Sequence, residues 1–256
     1  MKNNVVTLVS VGAHPTSGRA RRAEQDARAV ELGLRLAGKD LQVLHAGDVN
    51  EPALRDYLGM GLPGLQVLEQ PAGTDALPGL VAYLRDAGAQ LVLTGSQAET
   101  GEGSGMLPYL LGEQLGWPVV VSLAEVERIE NGIAHVLQAL PRGQRRRLSV
   151  RLPALATVDS AAPKARQSAY GPSQRGALQA HEVEVVADEW LDTAQMQPAR
   201  PRPKRLKVIK AKSGADRMKA ATAKASGGGG KVLKGVTAEE GAQAILKLLL
   251  EEGVVR

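Results

Sequence analysis

The chain has 256 residues, a formal net charge of +5, only 2% aromatics, no Phe and no Cys. That length suits one large α/β domain with an appendage, or two small domains. Without cysteine there is no disulfide, no thiolate metal site and no Cys nucleophile, and the core has to be built from Leu, Val, Ile and Ala.

The charge is uneven. Residues 200–234 hold twelve Lys/Arg against one acid, Asp216, an excess of eleven positive charges, so the rest of the chain carries an excess of six negative ones. A mildly acidic body bears a strongly basic tail. The start, Met1-Lys2-Asn3-Asn4 before a short apolar run, is too short for a signal peptide. No stretch approaches the length of a membrane span. A soluble cytoplasmic protein is expected.

Taken in order, residues 5–11 (VVTLVSV) predict a first strand and residues 12–22 the loop after it. Residues 23–37 predict a helix with Ala27, Val30, Leu34 and Ala37 on one stripe. Residues 41–44 predict a second strand and residues 51–60 a second helix, stopped by Gly61 and Pro63. Residues 65–68 predict a third strand, residues 75–87 a third helix closed by Gly88, and residues 91–93 a fourth strand. Short apolar strands alternating with helices argue for a parallel sheet with helices on both faces. From Val119 the pattern changes. Residues 119–129, 133–140 and 147–152 form a meander, and Asn131-Gly132 between the first two is a strong hairpin signal. Residues 154–158 return as a strand after Pro153, residues 159–179 look like loop, and residues 181–186 (HEVEVV) predict a final strand.

The body is expected to end near residue 190, leaving residues 191–256 as an arm. Residues 198–226 are rich in Pro, Lys and Arg and run into Gly227–Gly230, which is linker composition. Thr237-Ala238-Glu239-Glu240 is a capping box opening a helix with Ala244, Ile245, Leu248 and Leu249 on one face, ended by Gly253. A helix this apolar has to bury its stripe against its own domain or a second chain.

The stretch between the fourth strand and the next helix is the most informative. Residues 94–105 hold Gly95, Gly101, Gly103 and Gly105 among small polar residues, and the helix that follows has Ser104 as N-cap, Pro108 in its first turn and Gly116 at its stop. Strand, glycine-rich loop and helix N-terminus form an anion-binding geometry, because glycine lets the backbone approach and free N–H groups point at the ligand. The same pattern also describes an ordinary strand-to-helix loop. In parallel sheets ligands sit at the carboxyl ends of strands. The loops at residues 10–16, 46–49 and 95–105 all fall there and can share one crevice.

Gly95-Ser96-Gln97-Ala98, the glycine-rich acidic loop, the helix, and then Leu115-Gly116-Trp117-Pro118 resemble the nucleotide-binding segment of the electron transfer flavoprotein beta subunit. Residues 26–36 (DARAVELGLRL) resemble that family's first helix. Ala53-Leu54-Arg55 with Met60-Gly61 resembles its ALR…MG helix, and residues 152–159 (LPALATVD) resemble its LPAVVTAD strand. The resemblance covers most of residues 1–190. It implies an α/β fold of the adenine nucleotide alpha-hydrolase-like kind, with an antiparallel extension and a C-terminal arm that clasps an alpha subunit. It implies FAD held mainly on that alpha subunit, AMP in the beta-subunit crevice, and docking of a flavoprotein dehydrogenase. It assigns nucleotide binding to Gly95, Ser96, Gln97, Ala98, Glu99, Thr100, Gly101, Glu102, Gly103, Ser104, Gly105 and Met106, with Ser10 and Ala46 beside them. Tyr170 falls at or near the family's partner-recognition loop. Commoner members carry an Asp-Asp pair where this chain has Glu99, Thr100, Gly101 and Glu102. That departure favours AMP, or an empty crevice, over a second FAD.

Other motifs carry less. Residues 227–231 (GGGGK) lack the first glycine spacing and the Ser/Thr of a phosphate-binding loop. His14, His45, His135 and His181 have no metal-ligand spacing, though His14 and His45 follow strands and can line the crevice. Ser104 is flanked two residues away by Glu102 and Met106, so it is no nucleophile elbow. Glu99 and Glu102 are either solvated loop acids or acceptors for ribose hydroxyls. The resemblance implies an electron-carrier subunit without catalytic residues rather than an enzyme, and the lack of a nucleophile, metal cluster or acid–base pair in these motifs agrees with it. Two alternatives stand beside it: a nucleic-acid-associated protein using the basic tail, which lacks aromatics for stacking, and a stand-alone nucleotide sensor.

Overall fold

The computed structural model describes residues 4–101, 103–195, 197, 213–222 and 233–251. The chain divides into two compact units, residues 1–195 and 196–256.

The first unit is built on a nine-stranded sheet. In chain order it contains β1 (Val5–Leu8), β2 (Val11–Ala13), β3 (Ala20–Arg22), α1 (Glu24–Ala37), β4 (Gln42–Gly47), α2 (Leu54–Leu58), β5 (Gly64–Glu69) and α3 (Leu77–Asp86). Then follow β6 (Leu91–Gly95), α4 (Leu107–Leu115), β7 (Val119–Glu130), β8 (Ile133–Ala139), β9 (Arg145–Arg151) and β10 (Ala154–Val158). The unit closes with α5 (Tyr170–Arg175), β11 (Ala177–Glu182) and α6 (Glu189–Thr193). The sheet order is β11-β5-β4-β1-β6-β10-β7-β8-β9. Strands β11 through β7 pair in parallel, and β7, β8 and β9 form the antiparallel meander.

The side-chain alternation of the central strands explains why helices cover both faces. Successive strand residues point to opposite sides. Val5 and Val43 pack in one core with Ala27 and Val30 of α1 and Leu54, Tyr57 and Leu58 of α2. Val6, Leu8 and Leu44 pack in the other with Leu80 and Leu84 of α3 and Leu111 of α4. Apolar on both sides, these strands read as continuous runs, which is the mark of a buried parallel sheet.

Turn chemistry sets the meander. Asn131 and Gly132 both take positive φ, at 51° and 74°, as a two-residue hairpin turn requires. α4 ends at Gly116, in the left-handed region at φ 69°.

Five local expectations are corrected. Residues 12–22 are not simply loop, because Val11–Ala13 pairs antiparallel with Ala20–Arg22 as a separate ribbon. The second helix is shorter than residues 51–60, since Glu51 to Ala53 form a turn before Leu54. The last strand is Ala177–Glu182 rather than residues 181–186, and α5 lies inside the stretch read as loop. Met106, not Ser104, holds the N-cap position of α4.

The second unit contains α7 (Gly214–Thr222) and α8 (Ala238–Glu251). α7 falls inside the stretch whose composition reads as linker. The capping box at the start of α8 is formed: Glu240 N–H donates to Thr237 Oγ1 at 3.3 Å, and Thr237 N–H donates to Glu240 Oε2 at 2.9 Å. Ile245 and Leu248 are exposed. Gly227–Gly230 and Gly253 lie outside the described residues.

Candidate functional site

A crevice of about 310 Å3 opens at the carboxyl ends of β1, β4 and β6. This is where a parallel sheet presents its loops. Its floor is built by a small network of buried polar groups.

Asp26, in the first turn of α1, is 5% exposed. Its carboxylate accepts from Ser10 N–H at 2.7 Å, Ser10 Oγ at 2.5 Å and Gly95 N–H at 3.0 Å. It thereby ties the end of β1 to the end of β6. Burial pushes its pKa up to about 6, against the opposing pull of the Ser10 and Gly95 donors. Tyr57 braces the same corner: its hydroxyl donates to Ser10 O at 2.8 Å and accepts from Ala23 N–H at 2.8 Å. Burial holds the Tyr57 phenol well above its ordinary range. His45 places Nδ1 2.9 Å from Val9 O, and burial lowers its pKa.

The loop after β6 folds back on itself. Gln25 Oε1 accepts from Ser96 N–H at 3.0 Å and from the Ser96 hydroxyl. Gln97 Nε2 donates to Gly103 O. Two glycines are demanded by close approach. A Cβ on Gly95 would come within 2.2 Å of Asp26 Oδ1, and one on Gly105 within 2.8 Å of Ser96 O, with Gly105 at φ 74° as well. Ser104 Oγ accepts from Met106 N–H at 3.2 Å. Among the described residues, no acceptor is bonded to the N–H groups of Ser104, Gly105 and Leu107. These are donors at the start of α4, where the helix field favours an anion.

Of the residues singled out in the sequence, Ser10, Ala46, Gly95, Ser96, Gln97, Ala98, Thr100, Gly103, Ser104, Gly105 and Met106 line the crevice. Gly101 and Glu99 do not. Glu99 faces the β2–β3 ribbon, where it accepts from Ala13 N–H at 3.1 Å and Glu24 N–H at 2.7 Å and pairs with Arg21 at 3.0 Å. It is a brace that also caps α1 through space. Glu102 lies outside the described residues. His45 lines the crevice and His14 does not.

Sequence reasoning missed Asp26, Asp75 and Asp188, which also line the crevice. Asp75 accepts from Leu77 N–H at 2.9 Å and Asp188 from Trp190 N–H at 3.0 Å, so each starts a helix at the rim. Asp26 left one signal: it lies four residues before Val30, in register with the buried stripe of α1, where an acid is out of place. Tyr170 opens α5 and is 81% exposed, where a half-buried aromatic is the common expectation for a surface loop. Among the described residues, no group of three or more acidic or histidine side chains can hold a metal ion, and no helix is long and apolar enough to cross a membrane.

Two comparisons bear on this site. The model of the electron transfer flavoprotein domain family matches residues 6–189, which span the sheet and every loop of the crevice. The chain is also 59% identical over 255 residues to the electron transfer flavoprotein subunit beta of Chromohalobacter salexigens, covering 98% of this chain and 96% of that protein. With the sheet, the crevice and the glycine-rich turn in place along that match, the chain belongs to the electron transfer flavoprotein family, as a beta-subunit member.

Proposed function

We propose that this chain is one half of a heterodimeric electron carrier: the alpha subunit holds most of the FAD, and the crevice described above holds AMP. The observation that carries the reading is the row of N–H groups at Ser104, Gly105 and Leu107, with no acceptor bonded among the described residues, on the lining of a crevice at the carboxyl end of a parallel sheet. Those amides and the Ser104 hydroxyl would hold the phosphate end. Leu77, Leu80 and Leu110 supply apolar wall. About 310 Å3 lies at the low end of the roughly 300–1,000 Å3 found for small-molecule pockets. That size supports a mononucleotide better than a second FAD.

The residues fit such a ligand in a further way. Of the two loop acids, Glu102 lies outside the described residues, and Glu99 is turned away into the β2–β3 ribbon, so the Glu99 charge does not stand against a phosphate. The flavin, when bound, supplies the redox chemistry. This chain's own groups position and enclose, and Asp26, Tyr57 and Gln25 hold the loops at fixed spacing. Tyr170 is exposed on α5 and is the docking residue for a flavoprotein dehydrogenase. α8, with Ile245 and Leu248 exposed, is the segment that wraps the alpha subunit.

The test is cofactor content. Denaturing the purified heterodimer is expected to release FAD and AMP in equal amounts. Two FAD and no AMP would overturn the assignment of the crevice. Deleting residues 198–256 is expected to lose the alpha subunit while leaving the sheet domain folded. Retention of the partner, with loss of salt-sensitive nucleic-acid binding instead, would favour a nucleic-acid role for the basic tail.

A further inference from the structure

A second pocket of about 250 Å3 lies apart from the nucleotide crevice and shares none of its lining residues. It is lined by Arg21, Arg22, Arg28 and Lys164, with Glu24 as the one acid. Two carboxylates answer part of that charge. Glu24 pairs with Arg28 Nη2 at 3.2 Å, and Glu99 pairs with Arg21 Nη2 at 3.0 Å. An excess of two positive charges remains on Arg22 and Lys164. Among the described residues, none forms a hydrogen bond or ion pair with the Lys164 ammonium.

The guanidiniums are also incompletely satisfied. Arg28 is 8% exposed; its Nη1 donates to Ser160 O at 3.0 Å and Ala162 O at 2.7 Å, but its Nε is buried without an acceptor. Arg22 Nη2 donates to Arg166 O at 2.8 Å, while its Nη1 is buried without an acceptor. Both of these atoms are shielded from the pocket, so what a ligand there meets is the unanswered charge on Arg22 and Lys164. A neutral ligand or water would leave the uncompensated cations repelling one another.

We infer that this pocket is an anion site, taking phosphate or a phosphoryl group of a small molecule beside Arg22 and Lys164. Guanidinium forks match the oxygens of such groups, and charge-assisted bonds to them are the strong kind. The volume exceeds what one bare anion needs, which leaves room for a substituent on the phosphoryl group.

The test is calorimetric titration of the full chain, purified with any partner it retains, using inorganic phosphate in a phosphate-free buffer at fixed ionic strength. No AMP is added beyond what the protein carries as purified, so that free nucleotide does not compete for the pocket. Saturable binding is expected, and it should weaken on the order of tenfold in Arg22→Gln and again in Lys164→Gln. Neither residue lines the crevice, so phosphate entering there would not respond to them, and failure of the AMP assignment is thereby distinguished from failure of this one. No saturable binding, or binding unchanged in both variants, overturns the proposal. Lys164 is exposed, so Lys164→Gln decides alone where Arg22→Gln does not fold.

Discussion

The buried carboxylate of Asp26 should make stability fall as pH rises through a range in which most carboxylates add to it. Burial moves its pKa from 3.8 to about 6 in the folded protein. Between about pH 4 and 6 the folded protein therefore holds a proton that the unfolded chain has released, and stability declines with pH across that window. The contribution is fully present below pH 3.8 and is lost as pH rises through about 6. That gap, at 1.36 kcal/mol per pH unit, is worth about 3 kcal/mol. Other groups titrate nearby. At Glu31 the upward push of burial is outweighed by Arg166 and Arg35, so its pKa lies below the ordinary value and its contribution is lost as pH falls. Such groups are common to wild type and Asp26→Asn and cancel in the difference between them. Urea unfolding of both proteins from pH 4 to pH 7 should show wild type losing about 2 kcal/mol relative to the variant as pH rises, part of the full amount being already gone at pH 4. A difference that is flat, or that grows with pH, would refute the reasoning. The variant should also be weaker at the crevice, because an amide cannot accept from Ser10 and Gly95 at both of its terminal atoms.

Gly105→Ala forces a Cβ against Ser96 O and strains a left-handed residue; it should sharply weaken AMP binding by calorimetry while Tm shifts little, the loop being at the surface. Glu99→Gln removes the ion pair to Arg21 and weakens the bonds to Ala13 and Glu24; thermal unfolding should report a loss of about 1–2 kcal/mol, with AMP affinity unchanged. A large loss of AMP affinity there would place the carboxylate on the ligand. Tyr170→Ala should slow reduction by the partner dehydrogenase without changing cofactor content or Tm, as stopped-flow reduction would show.

The central sheet was legible because its strands are buried on both faces: Leu91, Val92 and Leu93 leave no polar side to hide the pattern. The edges were less so. β11 carries Gln179 and His181 against Gln66 of β5, with Gln66 Nε2 donating to Gln179 Oε1 at 2.8 Å. A polar edge strand has no period-two signal, and the apolar alternation of residues 181–186 drew the boundary downstream. The β2–β3 ribbon was invisible for a different reason. Its arginines look like a solvated loop, and it is fastened by Glu99 from more than seventy residues away. Local composition cannot report such a partner. At the crevice, the glycines and Ser96 announced themselves, since their chemistry is backbone chemistry. Asp26 did not, because only the fold brings Ser10 and Gly95 to it.

The most direct test of the account is a crystal structure of the purified protein with its bound nucleotide. The expected result is a phosphate within hydrogen-bond distance of the N–H groups of Ser104, Gly105 and Leu107, with Glu99 still on Arg21. A nucleotide whose phosphate lies away from those amides, or a crevice closed by its own side chains, would contradict it.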